Sequence, residues 1–111
     1  NGGVVIKYHG GQKYTTDAFS RALFTGVCQN VNVPVQSFAN RSDVVGGSTL
    51  GNLSNTQVSV HAVDFGLAQL AMHSPYETAG AKDTAYLVQF AKTFYETTLV
   101  RTEHGFFLEE K

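Results

Sequence analysis

The spacing of apolar residues in the first forty positions predicts a strand, a helix and a second strand. Val4 to Lys7 is a short run rich in β-branched residues with glycines on both sides, which predicts a strand. Apolar residues recur at helical spacing over residues 15–31, and Thr16 or Asp17 can cap that helix at its N-terminus. A second strand is predicted around Val35 to Phe38, directly after a proline.

The rest of the chain continues the same alternation of strands and helices. Residues 40–57 are polar and glycine-rich, which predicts a loop and then a short helix from about Thr49. The apolar run from Val58 to Val63 predicts the clearest strand, and helical spacing resumes from Lys82 to about Val100. This order predicts the α/β class, with residues 1–111 as a single unit in which helices pack on a partial α/β/α layered sheet.

Two loops of this predicted fold carry polar residues. In open α/β sheets, ligands bind in the crevice beyond the carboxyl ends of the strands. Residues 40–49 and the Met-His-Ser sequence at 72–74 both follow predicted strands. We therefore expect the two loops to meet at one rim of the sheet.

Composition and charge exclude several classes of protein. Hydrophobic residues make up 42% of the chain and charged residues 15%, which excludes a disordered chain. A net charge of −1 gives no electrostatic basis for binding nucleic acid or an anionic membrane, and no apolar run approaches the ~20 residues of a membrane helix. Cys28 is the single cysteine, which favours a buried apolar role in a reducing, cytoplasmic setting.

His73 is the sharpest candidate for chemistry. Imidazole is the commonest protein ligand of metal ions such as zinc, and the end of a predicted strand can fix its orientation. A histidine there can equally be satisfied by a local backbone carbonyl. For Asp43, in the loop before two glycines, the favoured interpretation is a loop cap that accepts backbone N–H bonds, with metal or substrate binding as the alternative.

Two further features can be read as parts of a binding site. Ser48 and Thr49 follow a glycine pair ahead of a predicted helix, which makes either an anion cradle or a simple turn. No lysine follows these glycines, so the loop is not a Walker loop. Lys7 and Tyr14 together can recognise an acidic group, although each alone is better explained as a surface lysine or a half-buried tyrosine.

Three sequence segments, in the order in which they occur along the chain, form the pattern of a known protein family. They are GVVIKYHGGQKYTTDAFSRAL at 3–23, NVPVQSFANRSDVVGGSTLG at 32–51 and VDFGLAQLAMHS at 63–74. Together they resemble the C-terminal part of the aspartyl aminopeptidase family. The resemblance runs in order from Gly3 to about Tyr95, which is more specific than any one motif.

The resemblance implies a zinc metalloaminopeptidase with two zinc ions in an α/β catalytic domain and a large homo-oligomeric assembly. It implies that His73 is a zinc ligand, and that Lys7 and Tyr14 recognise the acidic N-terminal residue of a peptide substrate. Asp43 matches an aspartate that is not taken as a direct zinc ligand. It is therefore assigned a supporting or structural role, together with Ser48 and Thr49.

This chain also departs from the family pattern. Ala68 stands where proline is common, and Pro75-Tyr76-Glu77 replaces an Ile-Arg-Glu stretch after the Met-His-Ser motif. The other zinc ligands and the general base of the family match nothing here, and one imidazole cannot hold a two-metal site. No residue of this segment is therefore assigned as catalytic.

Two interpretations of the chain follow. We expect the chain to be a C-terminal fragment of a longer zinc aminopeptidase and to be inactive by itself. It does not begin with methionine, which leaves open that residue 1 is a site where a longer chain was cut. The alternative is a natural short paralogue that acts as a binding or assembly module. An exposed sheet edge would also make the isolated chain self-associate.

Overall fold

A three-stranded sheet forms the centre of the molecule, and the computed structural model describes residues 1–110. Strand β1 (Val4–Tyr8) lies between β2 (Val35–Ala39) and β3 (Phe65–Leu67). β1 pairs in parallel with β2, with Val4 opposite Val35, and antiparallel with β3, with Val4 opposite Leu67. The sheet is therefore mixed, and β2 and β3 are its two edges.

Two helices cover one face of this sheet. α1 (Ala18–Asn30) and α3 (Ala81–Glu96) pack against the side chains of β1 that point to that face. Alternation of side chains along β1 sends Val5 and Lys7 to the opposite face. The buried apolar core consists of Val4, Ile6, Phe24, Val27, Cys28, Val33 and Phe90.

The start of α1 is fixed by a capping box. The Asp17 carboxylate accepts the backbone N–H of Ser20 at 2.8 Å, and the Ser20 hydroxyl accepts the backbone N–H of Asp17 at 3.0 Å. These bonds satisfy N–H groups that have no partner inside the helix. Of the two predicted caps, Asp17 is the one that the structure uses.

Three smaller elements complete the fold. α2 (Leu50–Gln57) contains no buried residue, and the two-residue strands β4 (Gln69–Leu70) and β5 (Thr78–Ala79) pair with each other. β6 (Thr97–Thr102) and β7 (Gly105–Glu110) form an antiparallel hairpin. The hairpin lies on α1, where the Phe106 and Phe19 rings pack edge to face at 4.9 Å between centroids.

Three predicted features are wrong in their position. Residues 58–63 form no strand; the third strand of the sheet begins at Phe65. The last helix ends at Glu96 rather than near Val100, because the β-branched Thr97 is already extended and starts β6. The stretch that leads to His73 is not one strand either, since β3 ends at Leu67.

The predicted meeting of two loops at one rim is also wrong. Because β3 runs antiparallel to β1, the loop after β3 leaves the opposite end of the sheet from the loop after β2. The α/β class itself is confirmed, with the helices packed on the sheet. No helix within residues 1–110 has the length and apolar character needed to cross a membrane.

Candidate functional site

A cavity of about 440 Å³ lies against the face of the sheet that α1 and α3 leave open. Lys7 projects into it from β1, and Tyr14 reaches it from the loop between β1 and α1. The Lys7 Nζ atom lies 5.5 Å from the centroid of the Tyr14 ring, within the range of a cation–π contact. The structure thus brings together the two residues predicted to recognise an acidic group.

Three further segments complete the walls of this cavity. Phe38 lies in β2 and Asn40 follows that strand, Gly47 belongs to the glycine-rich loop, and Met72 belongs to the Met-His-Ser sequence. The two polar loops therefore contribute to one cavity across the open face of the sheet, although they leave opposite ends of it.

Asp64 connects three of the segments around the cavity. Its Oδ2 atom accepts hydrogen bonds from the Thr15 backbone N–H at 2.9 Å and from the Thr49 hydroxyl at 2.9 Å. Its backbone carbonyl accepts the N–H of Lys7 at 2.9 Å, and its own N–H donates to the Thr16 hydroxyl at 2.9 Å. One residue thus holds β1, the Tyr14 loop and the start of α2 together.

Sequence reasoning did not assign a role to Asp64. The available signal was a carboxylate inside the apolar Val-Asp-Phe-Gly stretch, since a half-buried carboxylate needs donors close by. Thr15 and Thr49 supply those donors, but only the folded chain shows that they converge.

The other residues of the glycine-rich loop have separate positions. Thr49 precedes α2 and binds Asp64, while the Ser48 hydroxyl accepts a hydrogen bond from the Asn52 amide at 3.2 Å. Asp43 is exposed and forms an ion pair with Arg41 at 2.6 Å. Asp43 therefore lies apart from the residues that line the cavity.

His73 lies in an exposed turn next to the cavity residue Met72. Its backbone φ of 70° and that of Ala71 at 54° are in the left-handed region, which non-glycine residues seldom adopt. The His73 N–H donates to the Glu77 carboxylate, and the Ser74 N–H donates to the Ala71 carbonyl at 3.0 Å. Local hydrogen bonds therefore hold the histidine backbone in an unusual conformation.

A complete zinc site is not formed by the part of the chain that the structure describes. Within residues 1–110, no three His, Cys, Asp or Glu side chains come close enough to hold a metal ion. A structural or catalytic zinc needs at least three protein ligands. The described residues therefore do not fit a zinc site by themselves, and His73 is a single candidate ligand.

Cys28 has no part in the site. It lies on α1 and is fully buried in the core, and burial raises the pKa of its thiol to about 12. The thiolate is the reactive form of cysteine, so this side chain acts as a small apolar residue. The predicted apolar role of Cys28 is confirmed.

Comparison with known sequences identifies the family of the chain. Residues 1–95 match the sequence profile of the aminopeptidase I zinc metalloprotease family (M18), so the chain belongs to that family. It is 46% identical over 98 residues to a probable M18 family aminopeptidase 2 from Pseudomonas paraeruginosa. The match covers 88% of this chain and 23% of the relative, so the chain spans about a quarter of that relative's length.

Comparison with solved structures gives the same result for the fold. The chain is similar to the protein in a cryo-EM structure of the Ape4 and Nbr1 complex, with a TM-score of 0.83 and 38% identity. It is also similar to the crystal structure of prApe1, with a TM-score of 0.81 and 28% identity. The matches cover 86% of this chain and 18% and 20% of the two structures, respectively.

Proposed function

We propose that the chain contributes the C-terminal segment of a zinc aminopeptidase catalytic domain, which removes an acidic N-terminal residue from peptides. Membership of the M18 family supports the reaction class, since its members are described as zinc metalloproteases. The chain spans 23% of a related enzyme, so the remaining ligands and the general base are assigned to parts of the fold outside this segment. The isolated segment is accordingly inactive.

We place the whole protein in the cytoplasm because its segment has a single, buried thiol.

The single observation that carries the substrate proposal is the meeting of Lys7 and Tyr14 in one cavity. An ammonium group is a point charge that attracts a carboxylate, and a phenol can donate a hydrogen bond to the same group. The apolar residues Phe38 and Leu67 line the same cavity, and apolar surroundings strengthen an electrostatic interaction. This combination favours an acidic side chain over its neutral counterpart.

Replacement of Lys7 tests this preference. In the full-length protein that contains residues 1–111, we expect Lys7→Met to reduce the preference for aspartyl over asparaginyl peptides by roughly tenfold to a hundredfold. The reason is that a hydrogen bond to a charged group contributes about 1.5–3 kcal/mol, and about 1.4 kcal/mol corresponds to tenfold. The measurement is kcat/KM for two peptides that differ only in their first residue.

Lys92→Met is the matched control, because Lys92 is an exposed lysine of α3 outside the cavity. We expect this variant to keep the wild-type preference. An unchanged preference in Lys7→Met would contradict the proposed role of the cavity in selecting the substrate.

We assign His73 in the assembled enzyme as a ligand of one of two zinc ions. The left-handed backbone at this residue supports the assignment, because such conformations cluster at functional sites. Its neighbour Met72 lines the cavity, so the imidazole is attached close to the proposed substrate side chain. Asp43, Ser48 and Thr49 keep the supporting roles assigned from the resemblance.

A second function is favoured by a different observation, the exposed apolar residues at 44–60. Val45, Leu50 and Leu53 are 95%, 75% and 63% exposed, and α2 has no buried residue. Contiguous exposed apolar surface marks a place where another protein surface binds. We propose that this segment is an assembly surface, through which the chain associates with further copies of itself.

Sedimentation velocity of the 111-residue chain tests this assembly. We expect an oligomer at micromolar concentration, and a shift toward monomer when Leu50 and Leu53 are both changed to glutamine, because the change removes apolar area. Val88→Gln is the control, since Val88 is equally exposed but lies on α3. A clean monomer of the unaltered chain would overturn the proposal.

A further inference from the structure

Asp64 is bonded to segments that form the cavity but is not one of the residues that line it. Lys7, Tyr14 and Gly47 line the cavity, and none of them is bonded through its side chain to Asp64. Asp64 does, however, hold a backbone or hydroxyl group of Lys7 itself, of the residue after Tyr14 and of the residue two positions after Gly47. The Lys7 N–H donates to its carbonyl, and the donors Thr15 and Thr49 bind its carboxylate.

Two of these three tethers converge on one carboxylate oxygen of Asp64. Oδ2 accepts the Thr15 N–H and the Thr49 hydroxyl at 2.9 Å each, and the Thr15 hydroxyl at 3.3 Å. Hydrogen bonds to an ionised acceptor are shorter and stronger than those between neutral groups. A carboxylate that accepts several of them therefore fixes the relative position of the segments that donate them.

We infer that Asp64 is a positioning residue, which sets the distance between the Lys7 ammonium and the Tyr14 ring and places the Gly47–Thr49 rim against them. Asp64 acts by holding these segments in place, because it does not itself line the cavity. This inference rests on the proposed function for the role of the cavity. The arrangement of the three segments can be measured without zinc or turnover.

NMR of the 111-residue chain tests the inference. In the unaltered protein we expect nuclear Overhauser cross-peaks between the Tyr14 ring and the ε-methylene protons of Lys7, together with an upfield shift of those protons. Asp64→Ala removes the acceptor, so we expect these cross-peaks to be lost and the amide shifts of residues 47–49 to change. Glu103→Gln, which alters an exposed carboxylate in the turn of the hairpin, is expected to change neither.

Two milder variants separate positioning from general loss of stability. Asp64→Asn keeps an oxygen that can accept the same bonds, so we expect it to retain the Tyr14–Lys7 cross-peaks. Thr49→Val removes only the tether of the rim, so we expect the shifts of residues 47–49 to move while the Tyr14–Lys7 cross-peaks remain. If Asp64→Ala does not fold, these two variants decide the outcome.

Three results would overturn the inference. They are intact cross-peaks in folded Asp64→Ala, loss of the cross-peaks in folded Asp64→Asn, and an unmoved rim in Thr49→Val. Failure of the Lys7→Met selectivity assay would leave the Asp64 result unaffected, because that assay measures substrate preference and these spectra measure the position of the side chains.

Discussion

At the scale of single residues, the turn around His73 is held in a conformation that costs free energy. A non-glycine residue in the left-handed region costs about 1–3 kcal/mol, and Ala71 and His73 both adopt it within three positions. The turn persists because the Glu77 carboxylate and the Ala71 carbonyl accept the N–H groups of His73 and Ser74. Such conformations cluster at functional sites, so the backbone geometry supports a functional role for the His73 side chain.

The sequence predicted only those parts of the candidate site that follow from the chemistry of single residue types. Lys7 and Tyr14 were paired because each residue type suits an acidic group, and the structure brings them to 5.5 Å. Asp64 was not assigned a role, because its importance depends on donors 15 and 49 positions away in sequence. Long-range convergence of this kind is a property of the fold rather than of any segment.

At the scale of the elements, the pattern of apolar residues predicted the parts of the fold that make local contacts. β1, α1 and β2 agree with their predicted ranges to within a few residues, and the capping box at Asp17 explains why α1 begins at Ala18. These elements are specified by β-branched runs, helical spacing and a cap, all of which act over short distances.

The elements that were predicted wrongly depend on distant partners. Residues 58–63 alternate as a strand does, but a strand needs a neighbour, and the place beside β1 is taken by Phe65–Leu67. Val58 and Val60 are consequently exposed. Residues 97–100 were predicted as the end of the last helix, but they belong to the hairpin. The β-branched residues of β6 suit a strand, and Gly105, with φ of 129°, suits the turn that follows it.

Removal of the cap of α1 gives a prediction at this scale. We expect Asp17→Ala to lower the free energy of unfolding by about 0.5–2 kcal/mol, since the variant leaves the Ser20 N–H without its acceptor. Thermal or denaturant unfolding measures the change. Asp43→Ala is the control, because the exposed ion pair of Asp43 with Arg41 contributes little to stability.

The stabilisation by Asp17 also has a defined pH dependence. The backbone N–H of Ser20 holds the pKa of the Asp17 carboxyl below its ordinary value of 3.8. The carboxylate therefore contributes its full stabilisation above that value, and the contribution is lost as the pH falls through the lowered pKa. Equal stability of Asp17→Ala and the unaltered chain at neutral pH would contradict the capping role.

At the scale of the whole molecule, the two faces of the central sheet differ in what covers them. One face of the sheet is packed against α1 and α3, whereas the other face carries an open cavity, and α2 buries nothing. The chain spans 23% of a curated relative. We propose that the rest of the family fold buries the open face and that further copies bury residues 44–60.

The zinc content of the full-length protein tests the central claim most directly. We expect His73→Ala to lower the zinc bound per chain and to abolish peptide hydrolysis, because loss of one imidazole leaves a metal ion with too few ligands. His104→Ala is the matched control, since His104 lies in an exposed turn between β6 and β7 and is expected to keep full zinc content. Unchanged zinc in purified, folded His73→Ala would contradict the assignment of His73 as a ligand and, with it, the proposed place of this segment in the enzyme.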